Sequence, residues 1–154
     1  MKSLVSGWSC SMWRLVFLLC FLRGFGVKGI SCEIQVYTSY VPYAGTDADV
    51  HIVLNGTKGT SESIPLNNGH NNCEKGKVDS FNVETRDIGA LCSVRIHHNN
   101  KGFAAGWHLE KIRIICNHGN TYYTFLCNCW LSTTDGDKKT ERTISATEPC
   151  TRRK

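Results

Sequence analysis

The chain has 154 residues, enough for one domain, with 41% hydrophobic residues, nine cysteines and a formal charge of +5. Four of the basic residues (Lys2, Arg14, Arg23, Lys28) lie in the first 29, which carry no acid, so the remaining 125 residues carry only +1. That balance removes the basic stripe a nucleic-acid-binding surface needs, and no nucleic-acid partner is expected.

Residues 1–29 read as a secretory signal peptide. Basic residues precede LVFLLCFL (15–22), an eight-residue apolar run, and small residues follow, with a cut expected after Gly29. A membrane span needs about 20 apolar residues, and Arg14 and Arg23 fence this run. The expected product is secreted and extracellular, a single domain over residues 30–154 with a short basic tail, Arg152, Arg153 and Lys154.

The rest of the chain reads as short alternating strands: EIQVYT (33–38), DVHIVLN (49–55), SESIPL (61–66), DSFNVET (79–85), LCSVRIHH (91–98), EKIRIICN (110–117), YYTFLCNCWL (122–131) and KKTERTIS (138–145). Pro65 marks the third as an edge or a strand end. Gly, Asn and Asp clusters separate the strands, and no segment sustains a helical period. Eight such strands argue for an all-β fold, an eight-stranded antiparallel β-sandwich containing disulfides. Loops 40–47, 67–76 and 99–107 are expected at one end of it.

Seven cysteines follow the leader: Cys32, Cys73, Cys92, Cys116, Cys127, Cys129 and Cys150. Secretion makes disulfides the default, and an odd count leaves one thiol free or available for a disulfide-linked dimer. Cys127-Asn128-Cys129 has one intervening residue, fewer than structural zinc sites use. Asn55-Gly56-Thr57 is an N-glycosylation acceptor, at Asn55. His97 and His98 are adjacent on a strand and face opposite ways, so they do not share an ion; both read as an exposed strand end.

Three stretches, YTSYVPYAGTDADVHIVLNG, KGKVDSFNVETRDIGALCSVRIHHNNKGFAAGWHLEKIRI and YTFLCNCWLSTTDGD, carry an ordered set of short motifs. These are Tyr-x-Thr, Gly-Thr-Asp-Ala, Leu-x-Gly, Asp-x-Phe, Asp-Ile-Gly, Ile-x-His, a Trp opening the sixth strand, and Phe-x-Cys-x-x-Trp-Leu. In that order they resemble the PLAT, or lipoxygenase-homology, domain family over roughly residues 32–147. The resemblance implies an eight-stranded sandwich that docks on membranes or proteins and is not itself catalytic. No Gly-x-Ser-x-Gly elbow or iron-binding helix argues otherwise, so no enzyme is expected.

The resemblance also implies calcium at the end carrying the Gly-Thr-Asp loop. Its candidate ligands are the carbonyls of Tyr43, Ala44 or Gly45, the Asp47 carboxylate, and Asn71, Asn72 and Glu74. Phe103-Ala104-Ala105-Gly106 offers no side-chain oxygen where related domains have acids. With few carboxylates, affinity falls toward that of extracellular modules, ~10⁻⁴–10⁻³ M. The alternative role for Asp47 is to cap its own turn. Asp49 is expected to face outward, and Thr46 to be a turn hydroxyl. Tyr40, Val41, Pro42, Tyr43 and Phe103 are the expected membrane-contact residues. Trp107 and Trp130 are expected in the core.

For the cysteines, Cys32–Cys150 would follow if the first and last strands were neighbours, and Cys92–Cys116 if their strands faced each other across the sandwich. Cys73–Cys129 or Cys73–Cys127 would follow if their strands were neighbours. Cys127 and Cys129 are too close on one strand to bridge easily. Two functions remain open: binding of membrane lipids, assisted by calcium, or an extracellular protein–protein module in matrix, host interaction, defence or venom.

Overall fold

A computed structural model describes residues 29–116 and 121–150. The expected leader, save Gly29, and the basic tail lie outside the described residues. Among the described residues there are nine strands, the longer ones alternating apolar and polar positions: β1 (Gly29–Thr38), β2 (Val50–Gly56), β3 (Gly59–Thr60), β4 (Ile64–Pro65), β5 (Val78–Arg86), β6 (Leu91–His98), β7 (Trp107–Cys116), β8 (Thr121–Leu131) and β9 (Glu141–Ser145). The sequence reading gives eight; the extra strand is the two-residue β3, which pairs beside Asn55 and Gly56. As expected from Pro65, β4 is a short edge piece on β2.

The strands form two antiparallel sheets, ordered β5-β1-β7-β8 and β3-β2-β6-β9. Alternation drives their association, because each strand turns one apolar row inward. Ile34 and Val36 of β1, Ile112 and Ile114 of β7 and Phe125 of β8 meet Ile52, Leu54, Val94 and Ile96 of the second sheet in one buried core. Trp107 is fully buried, and its indole N–H donates to Thr38 Oγ1 at 3.0 Å. Trp130 is only half-buried and edges onto His108.

Strand order corrects the expected cysteine pairing. Cys32 and Cys116 sit directly opposite each other on neighbouring β1 and β7, and they bridge with a Cα–Cα separation of 4.1 Å. Cys150 cannot reach Cys32, because β9 pairs with β6 in the other sheet. The segment after β9 instead passes Cys92, where the Ala146 N–H donates to the Cys92 carbonyl, and Cys92 pairs with Cys150. Cys73 and Cys129 lie by strands at opposite edges of one sheet, so they do not meet.

Cys127 does bridge Cys129. The β7–β8 register slips between Leu109 and Lys111, and Asn128 adopts φ 46°. This bulge puts an extra residue into β8 and turns both flanking side chains toward each other. Cys73 is left free and buried. Burial first, then the nearby Asp79 and Glu74 charges, push its thiol up to about 12. A dimer linked through this cysteine would therefore require the 67–77 loop to open and a neutral thiol to react.

Candidate functional site

Four loops meet at one end of the sandwich: 39–49, 66–77, 99–106 and 132–140. The first three are those expected from sequence; the fourth joins them because β8 ends and β9 begins there. Their backbones are laced together. The Thr46 N–H donates to the Cys73 carbonyl, the Asp47 N–H to Ala104, the Gly76 N–H to Ser39 and the His108 N–H to Ala44. Thr46 Oγ1 accepts from the Ala48 N–H, the turn role expected of it, and donates to the Ala105 carbonyl.

This scaffold projects aromatic side chains into solvent. Tyr40 is 82% exposed, Tyr43 91% and Phe103 fully exposed, with Val41 beside them. Tyr43 holds φ 60°, an uncommon conformation for a bulky residue, with its ring outward. Tyr40 lies over Gly76, where a Cβ would meet its ring at 2.6 Å, and Lys75 Nζ sits 4.7 Å from its centroid. Gly102, at φ +98°, lets the Phe103 loop approach Asp47. Lys75, Lys77 and Lys101 are exposed on the same loops.

Two hollows flank the tips. One, of 510 Å³, is lined by Tyr43, Phe103, Trp130 and a hydroxyl–carboxylate group in which Ser132 and Thr134 donate to Asp135 Oδ2. The other, of 370 Å³, is lined by Asp47, Asp49, His51, His70, Asn71 and Asn72, among others.

The structure brings only part of the expected calcium set together. Asp47, Asn71 and Asn72 line the second hollow, whereas Tyr43, Ala44, Gly45 and Glu74 do not. The Ala44 carbonyl already accepts from the His108 N–H, and Glu74 Oε1 accepts from Asn71 Nδ2. Asp47 Oδ2 accepts from the Ala104 N–H at 3.3 Å, so Asp47 clamps the neighbouring loop rather than its own turn. Asp49 is exposed, as expected, and is held by Asn99 at 2.6 Å, but it also lines the hollow. Asn72 Oδ1 is buried there without a hydrogen-bond partner. The hollow is thus lined by an orphaned amide oxygen and two carboxylates, hard-oxygen donors of the kind calcium takes. Among the described residues, no group of three or more His, Cys, Asp or Glu side chains is gathered for a metal.

His98 differs from the expected exposed strand end: it is 4% exposed. Its parity follows Val94 and Ile96, which point into the core. The Asn100 N–H donates to His98 Nδ1 at 3.1 Å, so Nδ1 must carry a lone pair. Nε2 is therefore protonated and donates to the Leu131 carbonyl at 2.9 Å. Burial holds this imidazole below its ordinary pKa, against the opposing effect of the Leu131 bond. His98 thus pins the root of the Phe103 loop to the end of β8. His97, on the outer face, is also held low, by burial and then by His51 and Arg95. Asn55 lies half-buried on that face, where its side chain bonds Ser93 and Thr60.

The family profile described as PLAT/LH2 domain matches residues 32–145. The chain belongs to the PLAT/LH2 domain family. It is 44% identical over 118 residues to mouse lipoxygenase homology domain-containing protein 1, covering 76% of this chain and 6% of that protein. It is 38% identical over 112 residues to human polycystin-1-like protein 3, covering 71% of this chain and 6% of that one. Among solved structures, coral 8R-lipoxygenase, described as calcium-activated through a C2-like domain, superposes with a TM-score of 0.68 at 24% identity. That overlay covers 77% of this chain and 17% of the enzyme, and it shows the shared sandwich fold. The chain spans only a small fraction of the relatives it matches.

Proposed function

We propose that this chain is a secreted, non-enzymatic module that docks on phospholipid surfaces through its four-loop end. The observation that carries this reading is the cluster of exposed Tyr40, Tyr43 and Phe103 on interlocked loops flanked by Lys75, Lys77 and Lys101. Solvent-facing aromatics on a rigid scaffold gain free energy only when something apolar covers them. The lysines add attraction to anionic headgroups, about 1 kcal/mol for each one near the surface.

Calcium assists in this reading. Asp47, Asp49 and Asn72 would hold it, with Asn71 beside them. A bound ion supplies positive charge that offsets the two carboxylates next to the lipid. The domain's own contribution is to hold these oxygens and to fix the aromatic loop, since Asp47 also clamps Ala104.

The test is vesicle sedimentation with phosphatidylserine, in millimolar calcium and in chelator. Pelleting is expected in both, stronger with calcium, and Asp47→Asn is expected to remove the calcium increment. An increment that survives in Asp47→Asn places the ion elsewhere, and no pelleting in either condition overturns the lipid reading.

A second reading, a protein-binding module, rests on the outer face of the β1-containing sheet, where Tyr122 and Leu126 of β8 are more than half exposed. Tyr122→Ser with Leu126→Ser leaves vesicle binding intact under the first reading.

A further inference from the structure

On the outer face of the other sheet, His51 of β2 and His97 of β6 are direct register partners. Their rings stack with centroids 5.4 Å apart and planes 17° apart. The same row continues to Pro65 beyond His51 and to Glu141 beyond His97. Two features make the pair more than a packing contact. His97 Nδ1 is buried with no hydrogen-bond partner, a lone pair or proton without an outlet. Arg95, two residues from His97 on the same strand, is paired, since its Nη1 donates to Glu141 Oε2 at 2.9 Å.

We infer that His51 and His97 form a two-imidazole site for a borderline divalent transition ion, with zinc as its natural probe. Imidazole nitrogen suits zinc, at Zn–N distances of about 2.0–2.1 Å. Adding about an ångström from nitrogen to ring centre places two tetrahedral ligands' centroids roughly 5 Å apart. The observed separation already has that bite, but the rings lie nearly parallel and must turn about their side-chain torsions to aim both nitrogens at one point. Each neutral imidazole gives a lone pair, and water fills the remaining positions. The Glu141 carboxylate lies in the same row but is already paired with Arg95, so the ion's charge is left to the surrounding water. His51 also lines the hollow that holds Asp47 and Asp49, so the two sites adjoin and are told apart by donor chemistry, imidazole nitrogen here and carboxylate oxygen there. Bound there, the ion would tie β2 to β6 near the ends from which the Asp47 and Phe103 loops spring.

The experiment is zinc titration of the chain in saturating calcium, followed by NMR of the imidazole groups and by calorimetry. One saturable site is expected, with the His51 and His97 ring signals shifting together. Binding should be lost in His51→Gln and in His97→Gln, and retained in His70→Gln. Both glutamine changes fall on half-exposed positions, and the wild-type ring shifts report independently of any variant. Zinc that leaves the His51 and His97 signals unmoved, or binding that persists in both variants, overturns the inference.

Discussion

Replacing Tyr43 and Phe103 together by serine is expected to weaken association with anionic vesicles by a hundredfold or more. Each ring is almost wholly in water in the free chain. Burying one such side chain in an apolar phase contributes about 1.5–3 kcal/mol, and each 1.4 kcal/mol is tenfold in affinity. The two tips lie on different loops, yet Asp47 ties those loops together at Ala104, so both can enter the same surface. Because neither ring packs on the core, folding stability should stay within about 0.5 kcal/mol of wild type. Equal loss of vesicle binding and of stability would mean that the rings are structural. Vesicle sedimentation alongside urea unfolding separates the two outcomes.

His98→Leu is expected to be among the most destabilising single changes outside the apolar core. It strips the partner from the Leu131 carbonyl and from the Asn100 N–H. The Leu131 carbonyl is buried, and leaving it unsatisfied costs about 1–3 kcal/mol, whereas Asn100 is exposed and its N–H can turn to water, so a loss of roughly 1–3 kcal/mol should appear as a lower urea midpoint. The same geometry gives the wild-type chain a pH dependence. The folded pKa of His98 lies below its ordinary 6.5, so the folded state binds this proton less readily than the unfolded chain. Its contribution to stability is complete above 6.5 and fades as pH falls through the lower folded value. Protonation at Nδ1 also sets a proton against the Asn100 N–H, at the root of the Phe103 loop. His97 and His108 are shifted the same way and add to the slope. The carboxylates shifted down, Asp137 and Glu148, act only at still lower pH. The urea midpoint should therefore fall between pH 7 and pH 5 in the wild type, and fall less in His98→Leu.

Much of the fold was legible because period-two alternation is local: Ile34 and Val36, Ile52 and Leu54, and Ile112 and Ile114 each announce an inward row. The three-loop end was legible for the same reason, once strand ends were placed. The cysteine pairs were not, because they depend on which strands are neighbours. β1 lies beside β7 rather than β9, and this alone sends Cys32 to Cys116. The Cys127–Cys129 bridge depends on a bulge, and no alternation pattern encodes one. His98 was readable: the parity of Val94 and Ile96 already pointed it inward. The stacking of His51 on His97 required the β2–β6 register, which joins residues far apart in sequence. In the second hollow, Asp47, Asn71 and Asn72 followed from family likeness. The arrival of Asp49, and the engagement of Ala44 and Glu74 elsewhere, followed from hydrogen bonds that only the assembled loops make.

The most direct test of lipid docking is to place an environment-sensitive fluorophore on Ala104→Cys, beside Phe103, and in a second protein on Lys58→Cys, at the opposite end of the sandwich. Cys73 is buried and its thiol is held at about 12, so labelling falls on the introduced cysteine. With phosphatidylserine vesicles and calcium, the probe at residue 104 should shift to the blue and brighten, while the probe at residue 58 stays unchanged. An unchanged probe at 104, or an equal response at 58, would contradict docking through the aromatic end.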